Sequence, residues 1–139
     1  MEDVVVLNNS STDTLAFMTY NSDACIICFR GTSTGKNWIT NLKFIPYDNA
    51  FPPRYKRMGI TVHRGFNEAL LAVWDELMGF VEEAYLKNPQ MELYIFGHSL
   101  GGALALLALA HLTFTDTPRQ VRALYTIGQP WYVPLGPLP

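Results

Sequence analysis

The chain has 139 residues, 49% of them hydrophobic and 16% charged, with a formal net charge of -2. That length and apolar content suit one globular domain with a real core, and the near-neutral balance excludes a chain held to nucleic acid by a bulk basic field. The one basic cluster, RYKR at 54–57, is too short for a charge block and reads as a solvated loop.

The opening MEDVVVLNNSS carries two acids and a three-residue apolar run, so it lacks the basic n-region and the h-region of a secretory signal. Either the protein is not exported or its true N-terminus lies upstream, and the compartment stays open. Strands are expected over 4–8, 14–20 and 24–29, with NSD at 21–23 as the turn between the last two. Cys25 and Cys28 form a CxxC inside ACIICF, a run that reads as a strand buried on both faces. Three positions apart on a strand, their side chains point to opposite faces, which disfavours both a disulfide and a shared metal. They are expected to be core thiols.

A polar, proline-rich connection at 46–59 leads to ITVH and then to a long amphipathic helix. Phe66, Leu70, Trp74, Leu77, Val81 and Ala84 recur every three or four positions, and Asn88 with Pro89 ends the pattern. The strand MELYIF, the turn GHSLG, the helix GALALLALAHL, the breaker TDTP and a strand at 121–127 follow. The apolar window 103–112 is too short to span a bilayer, so no transmembrane segment is expected. Strands alternating with helices indicate an α/β fold with a mostly parallel sheet and flanking helices. The last stretch, GQPWYVPLGPLP, has neither helical nor strand periodicity, so 131–139 is expected to be an irregular proline-rich tail.

The sharpest feature is FGHSLGG at 96–102, which frames Ser99 with glycines where an apolar strand turns into an apolar helix. A serine hydroxyl is a poor nucleophile at neutral pH until a neighbouring base takes its proton, so it must be exposed on a rigid turn. In G-x-S-x-G the glycines, here Gly97, Gly101 and Gly102, remove Cβ atoms that would collide with the incoming strand and outgoing helix. The helix N-terminus offers free N–H groups where negative charge develops on the substrate oxygen, and Leu100 N–H is the expected first donor. A second donor is expected from the loop after an earlier core strand. CFRGTSTGKNW fits, with Gly31 and Thr32 offering backbone N–H and hydroxyl. The alternative reading of RGTSTG is a polar connection.

CFRGTSTGKNWITNLKFIP, VHRGF, YIFGHSLGGALALLALA and LYTIGQP stand in the order and rough spacing of the class 3 lipases, the fungal-type triacylglycerol lipases and related esterases. The resemblance runs from about Leu15 to Pro130. It implies an α/β-hydrolase fold, Ser99 as nucleophile, and Thr32 and Leu100 as oxyanion donors. It also implies that 32–46 is a lid. There Trp38, Ile39, Leu42 and Ile45 would share one helical face, with Lys36, Thr40 and Lys43 away from it, as suits a cover that opens at a lipid–water interface. The alternative is a helix packed permanently on the core.

The attacking serine needs a histidine base, and the histidine an acid. His98, beside Ser99 in the turn, is expected to point into the fold. His111 lies some twelve residues down the helix, roughly 18 Å away along its axis, beyond hydrogen-bond reach. His63, in VHRGF, reads as a loop or core histidine. In the resembled family the acid and base come after the strands that follow LYTIGQP, and where that family continues with RVG this sequence has WYV. The expectation is therefore a partial hydrolase domain over 1–130, truncated after the strand that follows the nucleophile helix. An unpaired parallel strand at 121–127 would be relieved by a missing C-terminal half or by dimerisation.

The function expected is serine-dependent hydrolysis of a lipid or other carboxylic ester through an acyl-enzyme, with no metal or organic cofactor. The 139-residue chain alone would be inactive or impaired for want of the triad acid and base. The alternative is a catalytically dead lipid-binding or interaction module.

Overall fold

The computed structural model describes residues 4–31 and 45–129. Its main sheet has five strands in the order β1 (Val5–Asn9), β2 (Thr14–Tyr20), β3 (Ala24–Phe29), β6 (Glu92–His98) and β7 (Val121–Ile127). Helix α1 (Arg64–Lys87) connects towards β6, and helix α2 (Leu100–Thr113) joins β6 to β7. The sheet is mixed rather than parallel throughout: β1–β2 and β2–β3 are antiparallel, β3–β6 and β6–β7 parallel. Connection length decides this, because a few residues allow only a hairpin, whereas a helical crossover returns the chain to run parallel.

Local chemistry sets the turns. Asn21 Oδ1 accepts the N–H groups of Asp23 and Ala24, both at 2.8 Å, and so closes the hairpin expected at NSD. Asn9 Oδ1 likewise accepts from Ser11 Oγ at 2.6 Å and Thr12 N at 3.2 Å between β1 and β2. The stretch 46–59 holds more structure than its composition suggested. Pro46–Tyr47 (β4) pairs with Val62–His63 (β5) as a separate two-stranded ribbon, and a 3-10 turn spans Pro53–Met58. Phe51 and Tyr55 anchor this stretch on the Phe114 ring, with centroids 5.3 and 5.2 Å away.

Helix α1 starts two residues before the first periodic apolar residue because His63 caps it, Nδ1 accepting from Phe66 N–H at 3.3 Å. It buries Phe66, Leu70, Val73, Leu77, Phe80, Val81 and Ala84 on one stripe. Helix α2 is apolar nearly all round, which suits burial between the sheet and α1 rather than a surface position. No helix among the described residues is long and apolar enough to cross a membrane.

The core lies on one side of the sheet. Leu7, Ala16, Phe29 and Gly97 are cross-strand neighbours, as are Met18, Ile27 and Ile95, and all are buried. The residues between them point to the opposite side, where no described helix packs. Cys25 and Cys28 follow the same alternation: Cys25 is buried in the core, Cys28 half-buried on the other face, and both are free thiols.

Candidate active site

Strand β6 has a parallel neighbour on each side, β3 and β7, and the carboxyl ends of parallel strands are where α/β sheets place their ligands. Ser99 occupies that end of β6. Its φ of 55° and ψ of -123° lie in a region that a residue with a Cβ adopts only when the surroundings hold it. Two hydrogen bonds do the holding: Ser99 N–H donates to Ile127 O at 2.8 Å, and Ser99 O accepts from Gly102 N–H at 2.9 Å. The side chain is half-buried and is not spent on capping α2. A strained, backbone-anchored serine whose hydroxyl makes no bond to another described residue is what a nucleophile on a turn requires.

The glycines around it are steric necessities. A Cβ on Gly101 would lie 2.7 Å from the carbonyl carbon of Phe29 and 2.8 Å from that of Arg30. A Cβ on Gly97 would strike the backbone of Gly101 and Gly102. The end of β3 thus packs backbone to backbone against the first turn of α2, and Gly31 completes the approach: a Cβ there would meet His98 O at 2.8 Å and Ser99 Cβ at 3.3 Å. The chain segment leading into Thr32 therefore passes directly beside the serine. Thr32 itself lies outside the described residues, as do 32–44 of the expected lid. Of that stretch, Ile45 is exposed and Pro46 pairs with His63.

Leu100, buried, is the first residue of α2, so its N–H has no intrahelical acceptor and stands at the positive end of the helix dipole. Beside it is a cavity of about 280 Å³ lined by Leu100, Leu104, Phe66, Ala69 and the β1–β2 turn from Ser10 to Thr14. Nothing in the sequence singled that turn out. Asp13, at a φ of 51°, forms an ion pair with Arg30 at 3.3 Å, and Arg30 N–H donates to Leu15 O at 3.0 Å, which ties the turn to the end of β3.

The histidines sort by their partners. His63 caps α1 and stacks on Phe66, with ring centroids 4.3 Å apart. Its Nδ1 accepts, so the neutral ring carries its proton on Nε2. His111, in the last turn of α2, meets Asn67 Oδ1 through Nε2 at 2.7 Å and packs between Phe51 and Trp74; burial lowers its pKa. His98 is exposed instead of packed into the fold as expected. The reason is strand alternation: Gly97 takes the core side, which puts His98 on the open side of β6. Among the described residues no three His, Cys, Asp or Glu side chains gather as a metal site requires. Burial raises the Cys25 thiol to about 11, so it is inert.

Against this geometry stand the comparisons with known proteins. The family model for "Lipase (class 3)" matches residues 26–133. A lipase of Rhizomucor miehei is 38% identical over 106 residues, covering 75% of this chain and 28% of that protein. A secreted mono- and diacylglycerol lipase of Fusarium solani is 35% identical over 105 residues, covering 76% of this chain and 29% of that one. The solved triacylglyceride lipase of Rhizomucor miehei superposes with a TM-score of 0.75 at 32% identity, over 91% of this chain and 48% of that structure. The chain thus spans under a third of the length of these curated relatives.

Proposed function

The chain belongs to the class 3 lipase family, and on that premise we propose that it carries the nucleophile and oxyanion hole of a serine hydrolase acting on glycerol esters of fatty acids. The observation that supports this most is the Ser99 turn: a serine at positive φ, pinned by Ile127 and Gly102, its hydroxyl not used as a helix cap, between the N-terminus of α2 and the end of β3.

In the reaction, Ser99 Oγ attacks the ester carbonyl carbon while an imidazole takes its proton. The carbonyl oxygen becomes an oxyanion that accepts hydrogen bonds from Leu100 N–H and from the N–H and hydroxyl of Thr32. Collapse expels the alcohol, which receives the proton from the imidazolium, and leaves an acyl-Ser99 ester. Water then repeats the sequence and frees the acid. No step calls for a metal or organic cofactor. The cavity beside Leu100 would take one substituent of the ester, with Phe66 and Leu104 as its apolar wall. Lipid contact is assigned to the expected lid, of which 32–44 lie outside the described residues; the sequence would put Trp38, Ile39 and Leu42 on one face if that stretch is helical, whereas Ile45 is not helical and Pro46 belongs to β4.

A second reading is an ester-binding module without turnover. The placement of two histidines favours it, since His63 and His111 commit their rings to the α1 cap and to Asn67. Turnover then needs a histidine and an acid from outside the described residues.

A fluorophosphonate probe tests both. If Ser99 is a nucleophile, the folded chain labels at Ser99 and Ser99→Ala does not; Thr32→Ala slows labelling about 10²-fold to 10³-fold by removing a donor. Should base supply be what is lacking, added imidazole accelerates labelling. A folded chain that never labels, with or without imidazole, defeats the hydrolase reading and leaves the binding module.

A further inference from the structure

At the end of α2 away from Ser99, a histidine joins three parts of the chain. His111, in the last turn of α2, lies between Trp74 of α1 and Phe51 of the 46–59 stretch, with ring centroids 5.4 and 4.9 Å away. Its Nε2 meets Oδ1 of the buried Asn67 at 2.7 Å. An amide oxygen only accepts, so the neutral ring donates from Nε2 and leaves Nδ1 without a proton. The Phe51 contact is one of a few that hold 46–59 down. Phe51 and Tyr55 also meet the Phe114 ring, and Arg54 donates to Thr115 O at 2.6 Å and pairs with Asp116 at 3.0 Å. The stretch has little structure of its own: a two-residue pairing with Val62–His63, and a 3-10 turn over Pro53–Met58 that buries none of its residues.

We propose that His111 is an acid-sensitive latch for the 46–59 stretch: the neutral ring holds Phe51 against α2, and the imidazolium releases it. A proton taken up at Nδ1 charges a ring walled by two aromatic side chains, while Asn67 Oδ1 already serves Nε2. Such a charge is costly unless it is paired or reaches water, and attraction to the two aromatic faces offsets only part of that cost. No carboxylate stands ready to pair with it. The charged residues on the elements around the ring are all exposed: Arg64, Glu68 and Asp75 on α1, Asp48 and the basic residues at 54–57 on the stretch, and Asp116 beyond α2. Arg64 is paired with Glu68, Arg54 with Asp116, and burial is the one cause of the lowered His111 pKa. Water must therefore reach the ring, and Phe51 is the wall that can yield. Trp74 belongs to a 24-residue helix rooted in the core by Phe66, Leu70, Leu77 and Val81, whereas Phe51 is half-buried on a sparsely held stretch. Local opening takes the cheaper side. The closed form has the lowered pKa, so protons favour the open form from about pH 6.5 downward, by at most about tenfold per pH unit, until the closed form itself titrates. Because 46–59 continues from the expected lid, release frees an anchor on that segment's carboxyl side. The inference is independent of the hydrolytic reading, since the latch lies at the other end of α2 from Ser99.

The test is amide hydrogen exchange on the full 139-residue chain, each rate being divided by that of an unstructured peptide of the same sequence at the same pH. The N–H groups of Tyr55 and Gly59, which donate to Pro52 O at 2.9 Å and Lys56 O at 3.2 Å, report on the stretch, and the interiors of α1 and β6 serve as reference. Between pH 7.5 and 5.5, protection at 46–59 should fall several-fold, with about tenfold as the ceiling for one proton, while α1 and β6 keep theirs. His111→Gln retains a donor for Asn67 and does not titrate, so its protection should stay constant over that range. Phe51→Ala should lower protection at both pH values. If His111→Gln fails to fold, the ring titration followed by NMR carries the test: His111 should titrate below its usual 6.5 in wild type and return towards it in Phe51→Ala. Protection at 46–59 that ignores acid in wild type overturns the proposal, as does a fall that His111→Gln shares or a ring titration that Phe51→Ala leaves unmoved. An equal fall in α1 and β6 overturns it too, because acid would then unfold the whole domain rather than release one stretch.

Discussion

Ile26 and Ile27 are adjacent, chemically identical and on the same strand, yet they meet different fates. Ile27 is fully buried against the helices, whereas Ile26 is 37% exposed on the other face. In sequence both belong to one apolar run, and nothing in ACIICF separates them. The difference teaches that an apolar strand reports how much burial is possible, while the placement of helices decides which face receives it.

The largest effect expected from this contrast comes from truncating the two residues separately. Ile27→Ala should lower stability by about 2–5 kcal/mol, because it leaves a cavity in the packed layer. Ile26→Ala should cost about 1 kcal/mol or less in dilute solution, where water already reaches it. Urea denaturation at low protein concentration measures both. Equal costs would mean that the far face is covered as tightly as the near one.

A smaller effect, of opposite sign, is expected at the serine turn. Ser99 holds a φ of 55° that a Cβ disfavours, so Ser99→Gly should raise stability by about 1 kcal/mol while abolishing probe labelling. An unchanged or lowered denaturation midpoint would show that the turn is not strained and would weaken the case for a functional serine.

The smallest effect concerns the helix-covered side and acid. Burial depresses the pKa of His111 below its usual 6.5. As pH falls, the unfolded chain therefore takes up that proton before the folded one does. The contribution of His111 is fully present above about pH 6.5 and is lost progressively as pH drops from there towards its folded pKa. His111→Gln should flatten that part of the stability profile relative to wild type. An identical slope over that window would place the ring in water rather than against Phe51, Trp74 and Asn67.

Much of the fold was readable from the chain because local signals carry it. β2, β3 and β7 begin and end where apolar runs and turn residues predict, and Asn21 does close the hairpin that NSD promised, but β3, expected to be buried on both faces, is buried on one. The strained serine was also legible, since glycines at 97, 101 and 102 have few uses other than letting strand and helix touch. Less legible were features that depend on partners distant in sequence. Asp13 and Arg30 are seventeen positions apart, and His111 finds Asn67 forty-four positions away. The exposure of His98 was misjudged because adjacency in a turn says nothing about which side of the sheet a side chain takes.

By itself, then, the amino-acid order determined the element sequence, the glycine-framed serine and the family to which the chain belongs, because each is written in spacings of a few residues. Tertiary structure alone decided the mixed strand directions, the pairing of histidines with caps and core, and the one-sided placement of both helices. Those outcomes depend on which distant segments meet, and a contact between them leaves no local periodicity in the chain to read.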